Sequence, residues 1–187
     1  MRCPPLPRSP LLAVLSGCLL LGSPALAQST AKPAAPCLTQ GEFTALSTYA
    51  LPNVIDGASR RCAQSLPESA FLRKQGTALS ARYAEKKDAA WPQAKKALFK
   101  LSASRGDPTG AMLRQLPDSS LRPIADVMVE GLVSQEIPLN DCTTVDRFVE
   151  LLAPLPAANM AGLLTLLAGV GTREGKEGPG GLKLCTT

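Results

Sequence analysis

Four cysteines constrain this chain most strongly: Cys37, Cys62, Cys142 and Cys185 lie beyond the N-terminal leader, and there is no histidine among the 187 residues. Their spacings are long and no C-x-x-C pair occurs, so a disulfide framework is expected rather than metal ligation. Four cysteines allow three connectivities. The favoured expectation joins Cys37 to Cys62 and Cys142 to Cys185, because each pair brackets a predicted helical hairpin. Loops of those lengths would each contribute about 3.5 to 4 kcal/mol by chain entropy. The stretch 142–185 then becomes the structural anchor, with the apolar helix over 157–170 as its central core element.

Ahead of Cys37 the chain has the form of an export signal. Arg2 and Arg8 give a positive start, residues 11–21 are apolar, and Ala25-Leu26-Ala27 supplies an A-x-A cleavage site. This reading assigns residues 1–27 to a signal peptide, 28–36 to a disordered Ala/Pro/Lys leader and 37–187 to one helical domain. A competing reading takes Leu15-Ser16-Gly17-Cys18 as a lipobox, which would place a lipid on Cys18. The Leu19-Leu20-Leu21 that follows is a poor polar tether, which favours cleavage after Ala27. The expected location is periplasmic or secreted, with a lipoprotein as the alternative.

The apolar periodicity throughout is helical. Thr39 followed by Glu42 predicts a capping box and a helix over 40–50. Pro52 is expected to end it and start a second helix over 52–63. Leu72, Gly76, Leu79, Tyr83, Ala90, Ala94, Leu98 and Leu101 follow three- or four-residue steps, predicting a long helix with a kink at Pro92 and one pattern gap at Lys86 and Lys87. Its small inner residues predict close approach of a neighbouring helix. Turn clusters at 106–110 and 117–120 frame a short helix over 111–116 and a longer one over 121–135. Residues 151–172 carry no charge, but Pro154, Pro156 and Asn159 interrupt them, so no transmembrane span is expected after signal cleavage. Residues 171–181 read as a flexible connector and 182–185 as an extended tail pinned by its disulfide. The fold class is all-α: a single-domain bundle of five to seven helices with two disulfides.

Charge is unevenly distributed. Residues 73–105 carry Arg73, Lys74, Arg82, Lys86, Lys87, Lys95, Lys96, Lys100 and Arg105 against Glu85 and Asp88. Residues 106–157 carry eight acids against Arg114, Arg122 and Arg147. The simplest account is two solvated faces that attract each other, and the sharper one is a basic face for an anionic envelope component or an acidic partner. Trp91, the sole tryptophan, lies among lysines. Tyr83, Lys87, Trp91, Lys95 and Lys96 therefore form the candidate binding face, against the plainer expectation that Trp91 seals a helix joint.

Without histidine, Ser-His-Asp and Cys-His catalysis are excluded, and no cofactor or metal is expected. Gly178-Pro179-Gly180-Gly181 has no predicted helix after it to hold a phosphate. Asp56, Glu68, Glu85, Asp88, Asp126, Glu130 and Glu150 all fall where solvent-facing helix residues fall, which leaves a carboxylate-dependent hydrolase a remote alternative. Nucleic acid is excluded as a partner by compartment, scarce aromatics and the acidic half.

The framework Cys37-Leu38-Thr39, Arg61-Cys62-Ala63 and Asp141-Cys142, with Asp146-Arg147-Phe148-Val149-Glu150-Leu151-Leu152-Ala153-Pro154-Leu155-Pro156, resembles uncharacterised exported helical proteins of alphaproteobacteria. The resemblance implies an all-α periplasmic protein and no particular activity. The expectation is an exported, non-enzymatic helical binding or interaction protein of the bacterial envelope. The alternative is a membrane-surface protein using the basic 73–105 helix.

Overall fold

A computed structural model describes residues 37–104, 109–173 and 183–185. The signal peptide, lipobox and leader expectations, and most of the 171–181 connector, lie outside the described residues. Within them the fold is all-α. Seven α-helices follow in order: α1 Gln40–Cys62, α2 Phe71–Ala84, α3 Lys87–Ser104, α4 Thr109–Leu113, α5 Asp118–Glu136, α6 Cys142–Leu152 and α7 Ala157–Arg173. None of the helices is long and apolar enough to cross a membrane.

The centre of the bundle is α1, not α7. It packs against α2, α3, α5 and α7. Its start is built as the sequence indicates. The Thr39 hydroxyl accepts from the Glu42 N–H, and the Glu42 carboxylate accepts from the Thr39 N–H. Pro52 does not end the helix. It is buried inside α1, flanked by buried Tyr49, Leu51, Asn53 and Ile55. Its carbonyl accepts from the Ser80 hydroxyl of α2. Packing on several sides outweighs the roughly 3 kcal/mol a proline costs within a helix. The expected central helix, α7, instead leaves Leu166, Leu167 and Val170 exposed.

That continuous α1 overturns the expected cysteine pairing. A helix of 23 residues is about 35 Å long, so Cys37 and Cys62 stand at opposite ends and cannot meet. The bonds are Cys37–Cys185 and Cys62–Cys142, with Cα–Cα distances of 4.9 and 5.4 Å. Cys142 and Cys185 therefore do not close a hairpin. Cys62, the last residue of α1, is tied to the first residue of α6. At the other end the chain termini of the domain lie together. Leu38 and Leu184 form a parallel bridge, with Leu38 N–H donating to Lys183 and Cys185 N–H donating to Leu38, both at 2.9 Å. Leu38 and Leu184 bury their side chains against Ala97 of α3. The crosslinks span 148 and 80 residues of chain, worth about 4.5 to 5 kcal/mol each by chain entropy.

The long helix expected through Leu72 to Leu101 is two helices. The break falls at Glu85 and Lys86, beside the pattern gap read at Lys86 and Lys87, and Pro92 lies inside α3. Pro92 is exposed, and the carbonyl it leaves unpaired belongs to Asp88 in the first turn, where water can satisfy it. The small inner face does bring helices close. A Cβ added at Gly76 of α2 would stand 2.5 Å from the Ser59 hydroxyl of α1. The N-terminus of α2 has no cap of its own, and Asp146 of α6 supplies one, accepting from the Phe71 and Leu72 N–H groups at 3.2 and 2.7 Å.

The core has two main parts on either side of α1. One gathers Leu51, Ile55, Leu72, Leu79, Tyr83 and Met160 from α1, α2 and α7. The other gathers Tyr49, Trp91, Ala94, Leu113, Leu121 and Ala125 from α1, α3, α4 and α5. The second part is incompletely filled, and this places the site.

Candidate functional site: an apolar cleft beside Trp91

Where α1, α3, α4 and α5 converge, a cleft of about 250 Å3 opens. Tyr49, Trp91, Ala94, Leu113 and Ala125 line its buried part, and Met128 and Leu132 of α5 form its exposed rim. The space follows from residue size. Ala50, Ala94, Gly110 and Ala125 contribute no bulk at a junction of four helices. None of the described lining residues is charged.

The side-chain donors of the lining are all engaged elsewhere. The Tyr49 hydroxyl donates to Asp126 Oδ1 at 2.7 Å, Trp91 Nε1 donates to Asp118 Oδ2 at 2.8 Å, and the Ser102 hydroxyl donates to the Phe99 carbonyl at 3.0 Å. The two aromatic rings, tilted at 42° with centroids 4.8 Å apart, therefore offer carbon to the cleft. Trp91 is only 2 % exposed.

Behind the rings lies a polar network. Asp126 accepts from Tyr49, from Asn53 Nδ2 at 2.9 Å and from Lys87 Nζ at 2.8 Å. Lys87 also donates to Asn53 Oδ1 and stands over the Tyr49 ring. Asp118 takes a second bond from Lys95, Arg122 pairs with Asp88, and the Arg122 guanidinium lies over Trp91. Burial first, and the Asp126 carboxylate second, push the Tyr49 phenol well above its ordinary range. Hydrogen bonds from Lys95 and then Trp91 hold Asp118 below the usual carboxylate range. Asp126, expected on a solvent face, is half-buried, because α5 packs on α1 and Asp126 faces the donors Tyr49 and Asn53 of α1 and Lys87 of α3. With its donors fixed by neighbours, Asp126 acts as a structural acceptor.

The five residues of the candidate binding face are not brought together on one surface. Tyr83 is buried and its hydroxyl donates to the Leu155 carbonyl, on the opposite side of the bundle core from Trp91. Lys87 and Lys95 are ion-paired to Asp126 and Asp118, and Lys96 is exposed. Lys100 pairs with Glu42, while Arg73 and Arg82 donate to the Ala63 and Ala153 carbonyls. Three of the basic residues of 73–105 thus neutralise acids on α1 and α5. Among the described residues no group of three or more Cys, Asp or Glu is placed to hold a metal ion.

Sequence reasoning singled out Trp91 but missed Met128, Leu132 and Ala50. For Met128 and Leu132 a signal was present, since α5 carries apolar residues on more of its circumference than one packed face needs; Ala50, on α1, gave none. No protein-family model, curated protein or solved structure matches this chain.

Proposed function

We propose that this chain is an exported, non-enzymatic binding protein of the bacterial envelope, and that its ligand is an uncharged apolar molecule held in the cleft beside Trp91. One observation carries the reading. The hydroxyls of Tyr49 and Ser102 and the indole N–H of Trp91 are all bonded away from the cleft, and the described lining has no charge. A polar or charged ligand would lose its hydration with no charge and no side-chain donor of the described lining to replace it, whereas an apolar one gains by burial. An apolar cavity of about 150 Å3 holds benzene, so about 250 Å3 suits a fused bicyclic ring, with a further substituent reaching out past the exposed Met128 and Leu132 rim, or a short acyl segment. Two disulfides fit an oxidising, extracytoplasmic compartment. The export-type leader points to the periplasm or the medium.

Trp91 is the only tryptophan and lines the cleft, so its emission is a built-in reporter. Titration with uncharged N-phenyl-1-naphthylamine is expected to give a saturable change in Trp91 emission. Ala50→Phe, which fills the cleft from α1, removes that change while near-ultraviolet circular dichroism stays native. Absence of saturation up to the probe's solubility, or an undiminished response in Ala50→Phe, would sink the proposal.

A further inference from the structure

The two disulfides differ in their surroundings. Cys62 and Cys142 are buried in the core, 0 % and 1 % exposed. Cys37 and Cys185 are half-buried, and each lies two residues from an exposed side chain, Thr39 or Lys183. A reductant must reach a sulfur, so accessibility decides which bond is attacked first. That bond is Cys37–Cys185. What it holds touches the cleft. Leu38 and Leu184 pack with Ala97 of α3, and Leu46 of α1 and Leu101 of α3 pack on the same group. Leu46 and Leu101 also line the apolar cleft. The same two side chains therefore touch both the cleft and the cluster that the tail completes.

Beside the disulfide, the tail is held by the N–H bonds from Leu38 to Lys183 and from Cys185 to Leu38, and by the burial of Leu184. Those gains are of the same order as the entropy lost in ordering the tail, so the crosslink decides whether it stays. We propose that Cys37–Cys185 is a reducible latch that controls how tightly the cleft holds its ligand. A dithiol supplies the two electrons. One of its thiolates attacks a sulfur of the Cys37–Cys185 bond, and its second thiol resolves the mixed disulfide. Cys37 and Cys185 leave as thiols carrying the two protons, and the dithiol leaves as a disulfide. Residues 183–185 then come away from Leu38, and the cluster under Leu46 and Leu101 loses Leu184. The cleft must order those two side chains again to hold a ligand, which lowers its affinity. Cys62–Cys142 stays closed and keeps α1 joined to α6. The loss of affinity rests on the apolar-cleft reading, whereas the selective reduction does not.

Titration of the intact, folded protein with dithiothreitol tests this, with free thiols trapped by N-ethylmaleimide and located by peptide mass. Cys37 and Cys185 are expected to be labelled while Cys62 and Cys142 remain joined. In that state the Kd for N-phenyl-1-naphthylamine rises about fivefold or more, and reoxidation restores it. Cys37→Ser/Cys185→Ser binds the probe as weakly as the reduced wild type and no longer responds to dithiothreitol. Reduction of Cys62–Cys142 first, or of both bonds together, would overturn the latch. An unchanged Kd after selective reduction, or a double variant that binds as tightly as oxidised wild type, would overturn its control of the cleft. Absence of probe binding by the oxidised protein would overturn the cleft reading and that control together. Labelling of Cys37 and Cys185 alone, with hydrogen-exchange protection lost at Leu38 and Cys185, would then leave the reducible tail standing.

Discussion

The Tyr49 hydroxyl and the Asp126 carboxylate, 2.7 Å apart, join α1 to α5 directly behind the cleft. This bond turns the phenol away from the cavity and leaves ring carbon as its wall. Tyr49→Phe is therefore expected to retain probe binding while losing about 1 to 2 kcal/mol in urea denaturation, since Asp126 loses one of its donors. Loss of probe binding with stability intact would mean that the hydroxyl serves the ligand instead.

The same bond sets an alkaline limit. The Tyr49 phenol is held above its ordinary value in the folded protein, so its neutral form is favoured by folding. Its contribution is complete below the free phenol value of about 10 and is lost as pH rises from there toward the folded value. Tyr49→Phe should flatten the fall of stability above about pH 10. An alkaline limb unchanged in the variant would assign the effect to other groups, Tyr83 foremost, whose phenol is also raised by burial.

At low pH the sign reverses. The hydrogen bond from Lys100, and after it the Thr39 N–H, hold the Glu42 carboxyl below the usual range. That contribution is present above the unfolded value of about 4.3 and is lost as pH falls through the lowered folded value. Glu42→Gln should make the acid limb of the stability curve shallower below about pH 4.3. It keeps an acceptor for the Thr39 N–H, so the change isolates charge from capping. An acid limb as steep as wild type would show that Glu42 stays unpaired in solution.

Helix content was legible in the sequence because apolar spacing and the Thr39 and Glu42 capping box are local signals. What prolines do was not. Pro52 and Pro92 read as breaks on local grounds, yet burial holds Pro52 inside α1, and exposure near the start of α3 makes Pro92 tolerable. The cysteine pairing depended on that one point, since a turn at Pro52 would have folded Cys62 back toward Cys37. Trp91 was legible as a residue of interest, being unique and set among lysines. The cleft was not, because it is an absence of volume shared by Ala50, Ala94, Gly110 and Ala125, which come together only through tertiary packing.

The disulfide pairing gives a direct check of the architecture. Proteolysis without reduction, followed by peptide mass measurement, should find Cys37 joined to Cys185 and Cys62 joined to Cys142. Replacing Cys62 and Cys142 together by Ser is expected to cost about 2 to 5 kcal/mol, because it frees α6 from the end of α1. Recovery of a peptide joining Cys37 to Cys62 would contradict a continuous α1.

The contact between Ser59 and Gly76 gives the sharpest test of how α1 and α2 pack. The Ser59 hydroxyl is buried without a hydrogen-bond partner among the described residues, and it occupies the space a Cβ at Gly76 would need. Ser59→Ala removes an unsatisfied polar atom and should leave stability unchanged or raise it by up to about 1 kcal/mol. Gly76→Ala alone gains helix propensity but must displace that hydroxyl, so its net effect is small or negative. With Ser59→Ala in place, the nearest remaining Ser59 atom is its Cβ, at 3.6 Å, an ordinary contact. The alanine at 76 should then stabilise by about 0.5 to 1 kcal/mol. A double-mutant cycle in urea should thus show favourable coupling between the two substitutions. Strict additivity would mean that α1 and α2 do not approach each other at this point.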